Sequence, residues 1–282
     1  MTGCVSAYVI NDAFMKFLFS EIALFQAVFL RSIITVPPVL LMVWVTKVTL
    51  RNLAKQDIRL IWLRVGAEIC TTIAFLTALK YMPLANVTAI LQALPLAVTM
   101  AAALFLAEPI GWRRWSAILV GFMGVLIVVR PGLDGFNVYS LSALAAIIFI
   151  TVREIATRKL AQEVPTITVV LSTAIGSAVF AGIMMVGAEW HAVSTSSWLL
   201  LIGAAFAVLI ATLLSVMAMR TGEIGFVSPF RYTSMLGAIG LGILMFGEWP
   251  DQPTLAGTLI IVMTGIYTFH REQKISRGVT TT

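Results

Sequence analysis

The sequence predicts an all-α membrane protein of ten transmembrane helices, arranged as two inverted five-helix repeats. Three observations lead there: the composition, a series of apolar runs long enough to cross a bilayer, and an order of features that recurs about 140 residues further on. Of 282 residues, 60% are hydrophobic and 11% charged, with a mean hydropathy of +0.98. Soluble domains carry about twice that share of charge. The run 86–107 holds amides and hydroxyls but no charge across about twenty residues, the length an α-helix needs to span hydrocarbon. A soluble helix of that length would show a polar face. The feature order of 78–131 returns at 218–265, with Arg220 standing for Lys80 and Glu248 for Glu108. Few residues are identical in this register (Ala78/Ala218, Val87/Val227, Leu96/Leu236, Leu104/Leu244, Glu108/Glu248), so the evidence lies in the order of features.

The first span, 2–19, is short and holds Asn11, Asp12 and Lys16. Asp12 and Lys16, at i and i+4, can pair on one face and reduce the cost of burial. The second, 23–46, holds Arg31, and Pro37-Pro38 are expected to break it locally. A polar segment, 47–59, precedes the third span, 60–80, where Arg64 and Glu68 form another i,i+4 pair. Met82-Pro83 turns the chain into the fourth span, and the fifth, 115–129, ends at Arg130-Pro131-Gly132. The border between halves falls near 132, giving repeats 1–132 and 133–282. The sixth span, 139–157, ends in Arg153-Glu154, with Arg158 four residues on; this matches the spacing of Asn11, Asp12 and Lys16, 142 residues earlier. The seventh to tenth spans are 167–186, 198–219, 225–246 and 255–269. The basic, polar tail 271–282 reads as disordered. Gly237, Gly240 and Gly242, and the run Ala101-Ala102-Ala103, permit close helix approach; for each glycine alone, simple packing is the plainer reading.

Thirteen basic residues fall in the loops and tail of one side: Lys47, Arg51, Lys55, Arg59, Arg113, Arg114, Arg153, Arg158, Lys159, Arg220, Arg271, Lys274 and Arg277. Only Lys16, Lys80 and Arg130 fall on the other. The positive-inside rule then puts both termini in the cytoplasm of a bacterial inner-membrane protein. Five spans per repeat is odd, so the second repeat is upside down relative to the first. Inverted repeats are the usual build of alternating-access carriers, with the substrate site at mid-membrane between halves. No cleavable signal is visible, since nothing basic precedes Lys16.

Several functions are excluded. The net charge of +6 follows orientation and does not point to nucleic acid. Cys4 and Cys70 are lone thiols, and no Cys/His cluster suggests a metal. His191 and His270 neighbour no nucleophile motif. No phosphate-binding GxxxxGK[ST] is present. The chain is therefore expected to be no enzyme and to need no cofactor. What remains are polar groups inside apolar runs, which mark a pathway by default. Arg31 lies roughly 12 Å from its span's outer end, near the midplane, where snorkelling does not explain it. Glu68 is equally deep and reads as well as a static partner of Arg64. Arg231 sits about two turns into the ninth span, where snorkelling rivals function. Gln92 is central, near Pro95, and suits an interhelical hydrogen bond as well as ligand contact. Asn11 and Asp12 are either helix-terminal residues or cavity-facing groups; Asp12 and Glu68 are the candidates for proton coupling.

The two-copy plan and the segment AILQALPLAVTMAAALFLAEPIGWRRWSAILVGFMGVLIVVRPG resemble the EamA branch of the drug/metabolite transporter superfamily over nearly the whole chain. Glu108 and Glu248 match the acidic residue that closes the fourth and ninth helices there. The resemblance implies ten helices in inverted halves around a central cavity built by the first four helices of each half. NDAFMK and MPLANVTAILQALPLAV resemble bacterial riboflavin importers. One departure stands: members have more residues before this point of the first helix, so the chain starts late or its first helix is shortened. The expected function is a secondary transporter of a small organic metabolite, with riboflavin uptake leading. Export of amino acids, amines or drugs is the alternative, and a lipid flippase is the alternative of another class. Its partners would be a small solute and the bilayer, with a homodimer left open and no nucleic acid. An isoalloxazine-like ring needs aromatic faces and a few fixed donors. The expected cavity wall is therefore Asn11, Arg31, Glu68, Gln92, Arg231 and Tyr232, with Tyr8 and Phe75 as stacking surfaces.

Overall fold

A computed structural model describes residues 1–47, 53–105, 111–132, 136–221 and 228–279, all of them helix or connection with no strand. In chain order the helices are α1 (Thr2–Leu18), α2 (Leu24–Thr46), α3 (Lys55–Tyr81), α4 (Leu84–Leu91), α5 (Leu94–Phe105) and α6 (Trp112–Val129). Then come α7 (Tyr139–Arg158), α8 (Thr166–Met184), α9 (Thr195–Thr221), a 3-10 turn (Ser228–Tyr232), α10 (Thr233–Phe246) and α11 (Gln252–Val279). Six stretches are long and apolar enough to cross a membrane: α2, α3, α4 with α5, α7, α8 and α9 up to Arg220. Shorter apolar helices cover Trp115–Val129, Phe230–Phe246 and Gln252–Tyr267.

Burial runs opposite to that of a soluble protein. Trp44, Leu199, Leu236 and Leu244 are exposed, whereas Arg31, Arg64, Arg153, Glu154 and Arg231 are buried. Such a surface has its natural solvent in lipid. The principal packing partners are α3 with α7, α6 with α11, α1 with α9 and α2 with α8; α1 with α10, α2 with α9, α3 with α8, α5 with α7 and α4 with α10 touch less extensively. The α6–α11 crossing is set by glycine. A Cβ on Gly257 would lie 2.6 Å from the Gly124 carbonyl oxygen, and one on Gly124 would lie 2.9 Å from that of Gly257. The ninth-span glycines do less. A Cβ on Gly240 would meet nothing within 4 Å, and one on Gly237 would reach Val9 at 3.3 Å.

Several local expectations are corrected. Pro37 and Pro38 do not break α2, which is continuous from Leu24 to Thr46; neighbouring helices let membrane helices tolerate proline. Pro95 does break its span, because its ring clashes with the carbonyl four residues back and it lacks an N–H. The fourth span is accordingly two helices with Gln92 and Ala93 between them. Helix α3 starts at Lys55, inside the segment read as polar loop. The ninth span opens with the 3-10 turn before α10. The tail is helical to Val279, since Arg271, Glu272, Gln273 and Lys274 favour helix despite their polarity. Glu108, Arg51 and the start expected for the ninth span lie outside the described residues.

Candidate functional site

Helical periodicity gathers the site. On α3, Arg64, Glu68, Thr71, Thr72 and Phe75 recur at three- and four-residue intervals and so share one face. On α1, Tyr8, Asn11 and Asp12 do the same. Together with α4, α7 and the 3-10 turn these faces enclose a cavity of about 130 Å³. Its wall includes Tyr8, Asn11, Asp12, Arg31, Glu68, Phe75, Gln92 and Arg231. Tyr232 is not in that wall. Its hydroxyl lies where a Cβ on Gly265 would be, against α11, and is buried without a hydrogen-bond partner.

A chain of alternating charge borders the cavity. Arg153 Nη1 donates to Glu68 Oε2 at 2.8 Å, and Arg153 Nη2 lies 3.5 Å from Glu154 Oε1. Arg231 Nη2 donates to the same Glu154 oxygen. Two arginines and two glutamates therefore neutralise one another, joining α3, α7 and the 3-10 turn. Arg31 stands apart. Its Nη1 donates to Asn11 Oδ1 at 2.9 Å, and Asn11 Nδ2 donates to Asp12 Oδ1 at 2.9 Å. The amide relays between a cation and a carboxylate that do not touch. Arg64 is held by hydroxyls, donating to Thr157 Oγ1 at 2.9 Å and to Thr173 Oγ1. Gln92 bridges the two helix breaks. Its Nε2 donates to the Tyr232 carbonyl at 3.3 Å, and its Oε1 accepts from Ser234 at 3.4 Å.

The i,i+4 pairs expected from sequence do not form. Lys16 instead makes a 2.7 Å ion pair with Glu248 and donates to the Met82 carbonyl at 2.6 Å. Glu68 belongs to Arg153, and Arg64 turns toward α7 and α8. The reason is common to both: a tertiary carboxylate or hydroxyl in low dielectric outbids a same-helix neighbour. Arg153, counted among loop cations, is 6% exposed and lines the cavity. Its signal was its place, with Glu154, 142 residues after Asn11 and Asp12. Thr71, Thr72, Thr88 and Ser234 also line the wall, and nothing in sequence distinguishes them from other membrane hydroxyls. Thr71 Oγ1 and Glu154 Oε2 are buried without hydrogen-bond partners among the described residues. Among the described residues no group of His, Cys, Asp and Glu could hold a metal.

A membrane-spanning bundle with a charged cavity at its centre suits a carrier of small polar molecules. The chain belongs to the EamA-like transporter family, whose model matches residues 1–130 and again 138–269. It is 30% identical to a riboflavin transporter of Vibrio cholerae over 76% of this chain and 72% of that one. It is 26% identical to an S-adenosylmethionine uptake transporter of Rickettsia conorii, over 70% of this chain and 66% of that one. A pseudopaline exporter of Pseudomonas aeruginosa is 24% identical over 76% of each. A solved crystal structure shares the fold with a TM-score of 0.70 at 17% identity, covering 94% of both chains. The protein is thus a multi-pass membrane transporter of small molecules and not an enzyme.

Proposed function

We propose that the chain is a ten-span secondary carrier of two inverted repeats, 1–132 and 133–282, which imports riboflavin across the bacterial inner membrane. The pairing of helices supports the repeat. With five spans per half, a twofold operation exchanges the α1–α9 pair with α7–α3 and returns α2–α8, α4–α10 and α6–α11 to themselves. The helix breaks agree with it: Gln92 and Tyr232 are 140 residues apart and hydrogen-bonded. Removing Arg153 from the loop count leaves twelve basic residues against three, still a strong bias toward cytoplasmic termini.

One observation carries the substrate reading: the cavity combines aromatic faces, Tyr8 and Phe75, with the Arg31 guanidinium, whose one hydrogen bond among the described residues goes to a neutral amide. A planar fork of donors beside aromatic rings suits a flat heterocycle bearing carbonyls. Asp12 is the better candidate for proton coupling, since its bonding partner is the Asn11 amide whereas Glu68 is held by Arg153. The same carboxylate favours the second reading, export of a cationic amine or amino acid. The deciding test is growth of a riboflavin-auxotrophic host carrying the chain. Growth at low riboflavin should be rescued; unchanged growth with the protein present in the membrane removes the flavin reading and advances the exporter.

A further inference from the structure

A second cavity of about 40 Å³ adjoins the first and shares Arg31, Glu68 and Val208 with it. The two differ in chemistry. The first sets two aromatic rings and aliphatic side chains beside charged groups, amides and the hydroxyls of Thr71, Thr72, Thr88 and Ser234. The second is lined by five hydroxyls, Ser32, Thr35, Thr173, Ser177 and Thr212, drawn from α2, α8 and α9. Helical hydroxyls usually turn back onto their own backbone. Thr35 does so, donating to the Arg31 carbonyl at 2.8 Å, and Thr173 donates to Val169 at 2.8 Å while accepting from Arg64. Ser32 and Ser177 do not: neither has a hydrogen-bond partner among the described residues. Ser32 is only 4% exposed yet lines this cavity, so its hydroxyl opens onto the enclosed space and is free to donate to and accept from whatever fills it. Its placement makes sense if a bound molecule supplies the partner.

We infer that this second cavity is a polyol subsite: the substrate is bipartite, its flat ring in the first cavity and a hydroxylated chain of sugar-alcohol or pentose type in the second. The inference rests on the flavin reading and deepens it. Arg31 stands at the junction, where its remaining N–H groups can meet the polar edge at which ring and chain join. Alternating hydroxyls on such a chain match serine hydroxyls that both donate and accept, and Thr35 and Thr173, whose donors are spent but whose oxygens can still accept. A purely aromatic ligand would leave the Ser32 and Ser177 hydroxyls unused.

The test uses the full chain in vesicles, with labelled riboflavin as substrate and lumiflavin, the same ring without the ribityl chain, as inhibitor. A neutral hydrogen bond accounts for roughly a 3- to 10-fold difference in affinity. Ser32→Ala should raise the riboflavin KM about 3- to 10-fold, while the lumiflavin Ki shifts less than about twofold. Ser177→Ala, from a different helix, should give the same split. A KM and Ki that shift together, or not at all, overturn the subsite while leaving flavin transport in place; a cavity that merely holds water gives that result. Wild-type vesicles without saturable riboflavin flux overturn the flavin reading and the subsite with it.

Discussion

Substituting Arg153 by Gln removes the cation between Glu68, at 2.8 Å, and Glu154, at 3.5 Å. Glu154 keeps Arg231, but Glu68 is left as a mostly buried carboxylate with no ion-pair partner within 4 Å among the described residues. At an effective dielectric near 20, each close pair is worth about 5 kcal/mol before desolvation. Desolvation takes back much of this, whereas stranding one partner costs about 3–5 kcal/mol. Arg153→Gln should therefore destabilise the protein by that amount. Glu68→Gln in the same background removes the stranded charge and should restore most of it, since neutral replacement of a buried pair is often tolerated. Reversible unfolding of the wild type, both single variants and the double variant measures the coupling. A coupling energy above about 1 kcal/mol is expected. Strict additivity, or a wild-type-like Arg153→Gln, would refute the charge chain as a unit.

The Arg31→Lys change should lower uptake about tenfold or more at equal membrane abundance, because an ammonium cannot reproduce the planar fork. Arg231→Lys, which keeps a cation beside Glu154, should lower it less. Gly257→Ala should cost about 1–3 kcal/mol by overpacking the α6–α11 crossing, while Gly240→Ala, with open space around it, should be neutral or stabilising by up to about 1 kcal/mol; thermal melts of the two separate them. At the connection into α11, burial raises the Asp251 carboxyl, but hydrogen bonds from Thr254 and Arg130 hold it below the usual range. Its contribution is therefore present above the ordinary carboxylate pKa and lost as pH falls through the lower folded value. Asp251→Asn should melt below wild type near neutral pH and converge with it in acid, by a margin that salt reduces.

The helices were legible because lipid imposes one rule, an apolar surface with every backbone group bonded internally. Arg31, Glu68 and Gln92 were legible for the same reason: a polar group deep in an apolar run has few excuses. Partners were not. Lys16 and Arg64 each had a plausible neighbour four residues away, and both chose one more than sixty residues distant. Arg153 was hidden by position, near the end of a span where a loop cation looks the same. Its burial follows from α7 packing along α3, which brings Glu68 to it, and helix pairing is not encoded in local spacing. Tyr232 failed differently. Its neighbour Arg231 faces the cavity while the Tyr232 ring packs against α11 at Gly265; adjacent residues can share a wall, as Asn11 and Asp12 do, so spacing alone did not separate the two.

The strengths of the polar contacts suggest which of them would break if the carrier opens its two sides in turn. At one end, Lys16 holds Glu248, whose other oxygen accepts from the Leu84 amide at 2.9 Å. Gln26 and His191 exchange two backbone–side-chain hydrogen bonds of 2.6 and 3.0 Å nearby, and Arg130 pairs with Asp251. Lys16 and Glu248 are 12% and 23% exposed in their side chains, against 7% and 13% for Arg153 and Glu68. An ion pair that can rehydrate on opening loses little, whereas one opened inside hydrocarbon leaves bare charge. In a carrier that opens in turn, the Lys16–Glu248 contact, which links α1 to the segment between α10 and α11, would be the one parted at least cost. The Glu68–Arg153–Glu154–Arg231 chain, deeper in the bundle, would then stay closed.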